Sequence, residues 1–549
     1  MNHFRPPLIV GVLRCLLFLL LFCFGGMIAM AQQEETVVCP TCGQAMPGKY
    51  HFCGNCGASL DGLPRRGTKP LSPSASADAK PADGEKKFSL FNIVNPESAL
   101  LTFFGSQFSG TPGGEHSSAF SDTPIALKPV PERPKPLLEL GENNFLGSGA
   151  ISPGFTVPTG AVWQPYLVLY GNGRSAFQIF DSGVYKSQIT EEVNSLDLFA
   201  NLYLTPTERI VLGIRPLEQT GDFAGYRFFP HASPEGNLNG TIHTLFFEGD
   251  FGELFPKLDP NDTRSIDYGF AVGRQPLSIQ DGIMINDDAI DAASITRTSL
   301  FGLGASALRS TLMFGWNEIN RNDDITDNRA KLIGFFNSAD YSIGTVAFDA
   351  AYVNSRDADG LNLGFGLIKR YFGLLSTTFR VNTSFALDKP SAEASNGTLL
   401  TGQLSTVLPY GEDIVYLDGY WGIDNYSSAD RGPDAAGPLG STGILFANPD
   451  LGHYASPLGD RPNSSVGGAL GFQKYLGSPD RQIVLEIGGR TATRVPAYFA
   501  ASEPNEFALG ARYQMKLNQH MILIFDSFVG FPQDRGTSYG FRTELSYKF

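Results

Sequence analysis

The chain has 549 residues and a formal net charge of -14. That acidic balance argues against a sequence-independent nucleic-acid binder, which needs basic surface to release counterions from phosphates. Charged residues make up only 17% while aromatics reach 12% and glycines number 62, a texture unlike soluble domains with roughly 25% charged residues.

The N-terminus begins with Arg5 and Arg14 and no acid, continues through an apolar run from about Cys15 to Ile28, and reaches Ala29-Met30-Ala31. Basic start, apolar centre and small-x-small site together predict a secretory signal peptide over residues 1–31. An uncleaved anchor helix is the alternative, but the run is short of the roughly 20 residues a span needs. Either way the remainder is exported.

Residues 32–61 hold Cys39-x2-Cys42 and Cys53-x2-Cys56, with Gly43 and Gly57 after the second cysteine of each pair. Two such knuckles supply four thiolates to one tetrahedral ion, and glycine suits the tight turns. The segment resembles the short zinc ribbons that head many prokaryotic proteins, with structural Zn2+ as the cofactor. Four ligands leave no open coordination position, so the expected metal is not catalytic. Two disulfides are the alternative in an oxidising compartment.

Residues 62–137 are rich in Pro, Ala, Ser and Lys and predict a disordered linker, interrupted by an apolar segment at 88–108. Pro129, Pro131, Pro134 and Pro136 predict an extended spacer just before the main body.

From 138 to 549 short alternating runs recur between Gly, Asn, Asp and Pro clusters, with no apolar stripe of helical period. At the C-terminus Tyr539, Phe541, Leu545, Tyr547 and Phe549 share one face, with Thr543 among them, and Arg542, Glu544, Ser546 and Lys548 share the other. Phe507, Leu509, Ala511, Tyr513, Met515 and Leu517 alternate with Arg512, Gln514 and Lys516 in the same way. Runs this long suit a tilted crossing of a bilayer better than a soluble sandwich. In hydrocarbon every peptide group must be paired, which permits a closed barrel and forbids an open sheet.

A terminal strand of alternating aromatics ending in Phe549 is similar to the assembly signal of bacterial outer-membrane barrel proteins. The stretch 267–295, where a strand runs through Gly273-Arg274-Gln275 into an Asp-rich segment, resembles porin-like barrels. The expected fold is therefore all-β, a transmembrane antiparallel β-barrel of roughly 16–18 strands, wide enough for an aqueous lumen. The resemblance implies an outer-membrane location, with the N-terminal module in the periplasm.

Charged side chains at a constriction set selectivity in such channels. The candidates are Asp281, Asp287, Asp288 and Asp291, with Arg274, Arg297 and Arg309 nearby in sequence to face them across the lumen. An ordinary acidic external loop is the alternative for this stretch. Residues 320–329 and 427–440 read as surface turns, and "GNGRSA" at 171–176 as a hairpin turn. His51, His116, His231, His243, His453 and His520 fall in no recognisable metal or triad motif, and no G-x-S-x-G elbow occurs, so no enzyme is expected.

The function expected is a porin-like channel for passive diffusion of small hydrophilic solutes or ions. A plugged structural or adhesive barrel and a barrel-embedded hydrolase are the alternatives. Expected partners are outer-membrane lipid, the permeating solutes and a periplasmic protein docked by the ribbon, with a homo-oligomer left open.

Overall fold

The computed structural model describes Thr36–Val38, Ala45–Pro47 and residues 135–549, with breaks at 142–152, 182–187, 323–325, 409–411, 495–504 and a few single positions. The chain divides into two compact units, residues 1–100 and 101–549. In the first, Thr36–Val38 and Ala45–Pro47 form an antiparallel pair with Val37 opposite Met46. The expected signal peptide, the cysteines, most of the linker and the segment 88–108 lie outside the described residues.

The second unit is a closed antiparallel barrel of 18 strands. The first six are β1 (Tyr166–Asp181), β2 (Ile189–Tyr203), β3 (Arg209–Ile214, resumed as Asp222–Phe229), β4 (Ile242–Asp250), β5 (Gly269–Ile279) and β6 (Ile285–Gly302). Next come β7 (Ala305–Asn317), β8 (Lys331–Tyr341), β9 (Gly344–Asn354), β10 (Gly360–Tyr371), β11 (Leu375–Ala386) and β12 (Gly397–Val407). The ring finishes with β13 (Ile414–Asp424), β14 (Ser465–Tyr475), β15 (Arg481–Ala492), β16 (Glu506–Lys516), β17 (Met521–Pro532) and β18 (Ser538–Lys548).

Each strand pairs with its sequence neighbour, and β18 closes the ring on β1, with Phe541 opposite Ile179 and Tyr547 opposite Gly173. Closure leaves no edge, which is what hydrocarbon demands of a sheet. The C-terminal residue joins in: Gly171 N donates to Phe549 O at 2.8 Å and Phe549 N to Gly171 O at 3.1 Å.

The dyad decides which way each side chain points. Along β18, Tyr539, Phe541 and Tyr547 are exposed, while Gly540, Arg542, Glu544 and Ser546 are buried. The same inversion of a soluble protein holds around the ring, with Phe314, Phe335, Phe348, Leu485 and Leu509 among the exposed apolar residues. Aromatic pairs mark both rims, Tyr513–Phe525 and Tyr547–Phe549 at one end and Phe507–Phe531 and Phe314–Trp316 at the other. Such girdles sit where hydrocarbon meets headgroups.

Short turns at 303–304, 342–343, 372–374 and 517–520 share the end of the barrel that carries Phe549. Longer connections at 318–330, 387–396, 425–464 and 493–505 share the opposite end. Short turns are periplasmic in single-chain outer-membrane barrels and long loops external.

The sequence "GNGRSA" is no hairpin turn: it lies inside β1. A Cβ on Gly171 would stand 2.4 Å from Asp197 O and 2.8 Å from the Phe549 ring, so the glycine serves strand packing at the closing seam.

Phe541→Arg, on the outward face, is expected to destabilise the refolded barrel by about 2–4 kcal/mol, whereas Gln514→Arg on the inward face should cost about 1 kcal/mol or less. Urea unfolding in lipid bilayers measures both.

Candidate functional site: a constriction folded into the barrel

Two segments from the long-loop end turn into the lumen. The first is the β5–β6 tip. Gln280 and Asp281 adopt positive φ (57° and 55°), and Ile283, Met284 and Ile285 are 0% exposed. Gln280 Nε2 donates to Asp349 Oδ2 on β9 at 2.8 Å, and Asp281 pairs with Arg380 on β11 at 2.5 Å. The tip thus folds along the inner wall of β8 to β11, where Met284 and Ile285 join Leu332, Ala351 and Val353 in an apolar cluster.

The second is the connection 425–464 between β13 and β14. Its residues 427–433, expected at the surface, are buried or half-buried. The reason is the composition of the connection on either side: Tyr426, Leu439, Leu445, Phe446, Tyr454 and Leu458 need cover, and find it in one cluster with Phe180, Leu399, Tyr420 and Phe528 of the wall. Tyr454 packs edge-on against both Phe180 and Phe528, at 5.3 and 5.7 Å between centroids.

Polar anchors fix this loop around the circumference. Glu486 on β15 accepts from the N–H groups of Ile444 and Leu445 at 2.9 and 2.8 Å, and from the Tyr416 hydroxyl. Gln403 on β12 donates to Ser441 O at 2.6 Å, and Asn362 on β10 to Ser427 O at 2.7 Å. On the far side Arg174 of β1 donates to Pro449 O at 2.8 Å, and Glu191 of β2 accepts from His453 N at 2.7 Å. A Cβ on Gly422 would lie 1.7 Å from Pro462 O, so only glycine lets the returning loop lie against β13.

Loop and tip also bind each other. Ala429 N donates to Met284 O and Gly432 N to Asn286 O, both at 2.9 Å. Arg431, 1% exposed, donates to Gly282 O. Asp430, 0% exposed, faces Asp287, and Asn320 bridges the two: its N–H reaches Asp430 at 2.7 Å and its amide Asp287 at 2.6 Å. Burial first, and then the facing Asp287 carboxylate, pushes the Asp430 carboxyl well above its ordinary value. His453 is held above its ordinary value by its hydrogen bond to the Glu191 carboxylate.

The inner wall from β16 to β3 carries alternating charge. Arg512 pairs with Asp526 at 2.5 Å, Asp526 with Arg542 at 2.9 Å, Arg542 with Glu544, and Glu544 with Arg174 at 2.8 Å. Arg215 continues the belt, pairing with Asp197 and Asp288 at 2.7 Å each. Such pairing keeps the inward charges compensated where the lumen is narrow.

The residues expected to form the constriction are dispersed. Asp281 and Asp288 are on the in-folded tip, and Asp287 is buried at its contact with the loop. Asp291 alternates with the buried Ile290 and Ala292, and Arg274 lies 2.8 Å from it. Arg297 stacks over Tyr268 at 4.9 Å near the short-turn end, and Arg309 is exposed on β7 beside the same end. Arg274 thus pairs with Asp291 across the strands and also lines the cavity that holds Asp287 and Asp288, whereas Arg297 lies away from the acids. A cavity of about 220 Å³ opens beside Arg215, His243, Asp287, Asp288 and Glu318. A larger one, about 630 Å³, lies at the opposite mouth among Glu412, Asp480 and Lys516, away from the constriction.

No family model and no curated protein matches the chain. Among solved structures it is similar to Pseudomonas aeruginosa OccK5 (OpdH), at 13% identity and a TM-score of 0.46, covering 70% of this chain and 98% of that one. A BenF-like porin from Pseudomonas fluorescens Pf-5 gives 11% identity and a TM-score of 0.49 over 70% and 98%. The outer membrane protein opdK from Pseudomonas aeruginosa gives 11% and 0.47 over 69% and 98%.

Proposed function

We propose that the protein is an outer-membrane channel through which small hydrophilic solutes or ions diffuse passively. The supporting observation is the combination of a closed 18-strand ring, an apolar outward face and a charge-lined inward face narrowed by one anchored loop. Wall side chains alone cannot fill a ring of this size, so a lumen is its natural consequence. Alternating Arg and carboxylate side chains along that lumen give a permeating solute both donors and acceptors to replace its water.

In planar bilayers the refolded full-length protein should give discrete, steady current steps, with a reversal potential in a salt gradient that reports its ion preference. Folded, heat-modifiable protein that inserts without current would overturn the channel and favour a plugged structural barrel.

For the N-terminal module we propose a periplasmic zinc ribbon on Cys39, Cys42, Cys53 and Cys56 that docks a periplasmic protein. Protein purified from the envelope should carry about one zinc per chain. Two disulfides found by mass spectrometry in place of the metal would contradict it.

A further inference from the structure

We propose that the constriction loop is held by two proton-dependent latches, Asp287–Asp430 near its start and Glu191–His453 near its end, so that acid locks it and rising pH loosens it. The inference rests on the channel reading for its consequence, but not for its geometry.

At the first latch two carboxylates meet from different segments, Asp287 from the β5–β6 tip and Asp430 from the loop. They are 4% and 0% exposed. Asp430 Oδ1 accepts from Asn320 N, whereas its buried Oδ2 has no hydrogen-bond donor of its own. Asp287 spends its oxygens on Ala289 N at 2.9 Å and on the Asn320 amide. Two acceptors facing each other out of water need a proton between them. Of the charges packed around the pair, Asp288 opposes its ionisation and Arg321 favours it. Arg431, next in the chain, is directed away to the carbonyls of Gly282 and Ala436. Once the shared proton leaves, two negative charges press the tip and loop apart. That repulsion works against a defined set of contacts: Ile285 opposite Asp430, Asn286 opposite Arg431, the bonds from Ala429 and Gly432, and those that Tyr426, Ser428 and Arg431 donate to the carbonyls of Ile283 and Gly282.

At the second latch Glu191, 0% exposed, grips His453 twice, at the backbone N–H and at Nδ1, 2.9 Å away. Gln178 donates to the same carboxylate at 2.6 Å. Glu235 and Arg227 face the imidazole from β3 and the segment after it, and they pair with each other at 2.6 Å. Protonated His453 gives Glu191 a charge-assisted bond that neutral imidazole does not.

The two latches act in one direction. Both proton-binding groups hold their proton more tightly when docked, Asp430 by burial and His453 by its bond to Glu191. Docking is therefore strongest in mild acid, where Glu191 is ionised while Asp430 and His453 hold their protons, and weakens as pH rises. The imidazole contribution is full below about 6.5 and fades above that.

The test pairs two readouts on the refolded full-length protein at about pH 5 and about pH 9. Amide exchange at Ala429 and Gly432, corrected for the intrinsic pH dependence, should quicken by about tenfold or more at the higher pH. Single-channel current should become larger and noisier over the same interval. Asp430→Asn, whose amide can itself donate to Asp287, should remove most of the change in exchange. Glu191→Gln leaves the first latch untouched and should remove only the part attributable to His453. Normal channel current with pH-independent exchange would overturn the latches. No current at either pH, with exchange still accelerating at the higher one, would support the latches and overturn the channel reading instead.

Discussion

A peptide group in hydrocarbon has no water to bond with, and the barrel follows from that single constraint. Every strand must find two neighbours, so the ring has to close, and β18 must return to β1. Closure also settles which side chains go where. Period-2 alternation hands one face to lipid and the other to water, so apolar residues lie outside and Arg542, Glu544, Asp526 and Arg174 lie inside.

The inner face then becomes the only place where a long polar connection can be buried with its hydrogen bonds satisfied. The loop 425–464 uses this. Its apolar residues pack on the few apolar residues of the wall, and its peptide groups are met by Glu486, Gln403, Asn362, Arg174 and Glu191. Because these anchors come from strands all round the ring, the loop is held across the lumen and not against one side. A buried polar network of this kind is stable when each member is partnered, and its titratable members are where it can be released.

Much of the barrel was legible in the sequence because its rule is local. The inward set Arg542, Glu544 and Ser546 could be read from alternation alone, as could Arg512 opposite Leu509 and Ala511. The roughly 16–18 strands expected from length and strand spacing compare with 18 found. The constriction was harder, since it depends on contacts across the ring. The Asp-rich stretch 281–291 stands out in the sequence, but the strand register pairs Asp291 with Arg274 while Asp287 goes into a buried contact. The Ser, Asp, Gly and Pro residues of 427–440 resemble those of a surface turn. The signal that it folds inward is Leu439 together with Leu445, Phe446, Leu451 and Tyr454 just beyond, apolar residues too many for an external loop. Arg215 and Arg380 gave no sign of their roles, because their partners Asp197, Asp288 and Asp281 come from other strands.

The claim that this loop sets the narrowest part of the lumen can be tested by excising it. Gly437 N donates to Asp460 Oδ2 at 2.9 Å, so the two ends of the segment 438–459 lie together and can be joined by a short turn. The decisive measurement is the single-channel conductance of that variant beside the full-length protein. A rise of about twofold or more, with the barrel still heat-modifiable, is the result expected of a loop that limits flow. Unchanged conductance would place the constriction elsewhere and contradict the account.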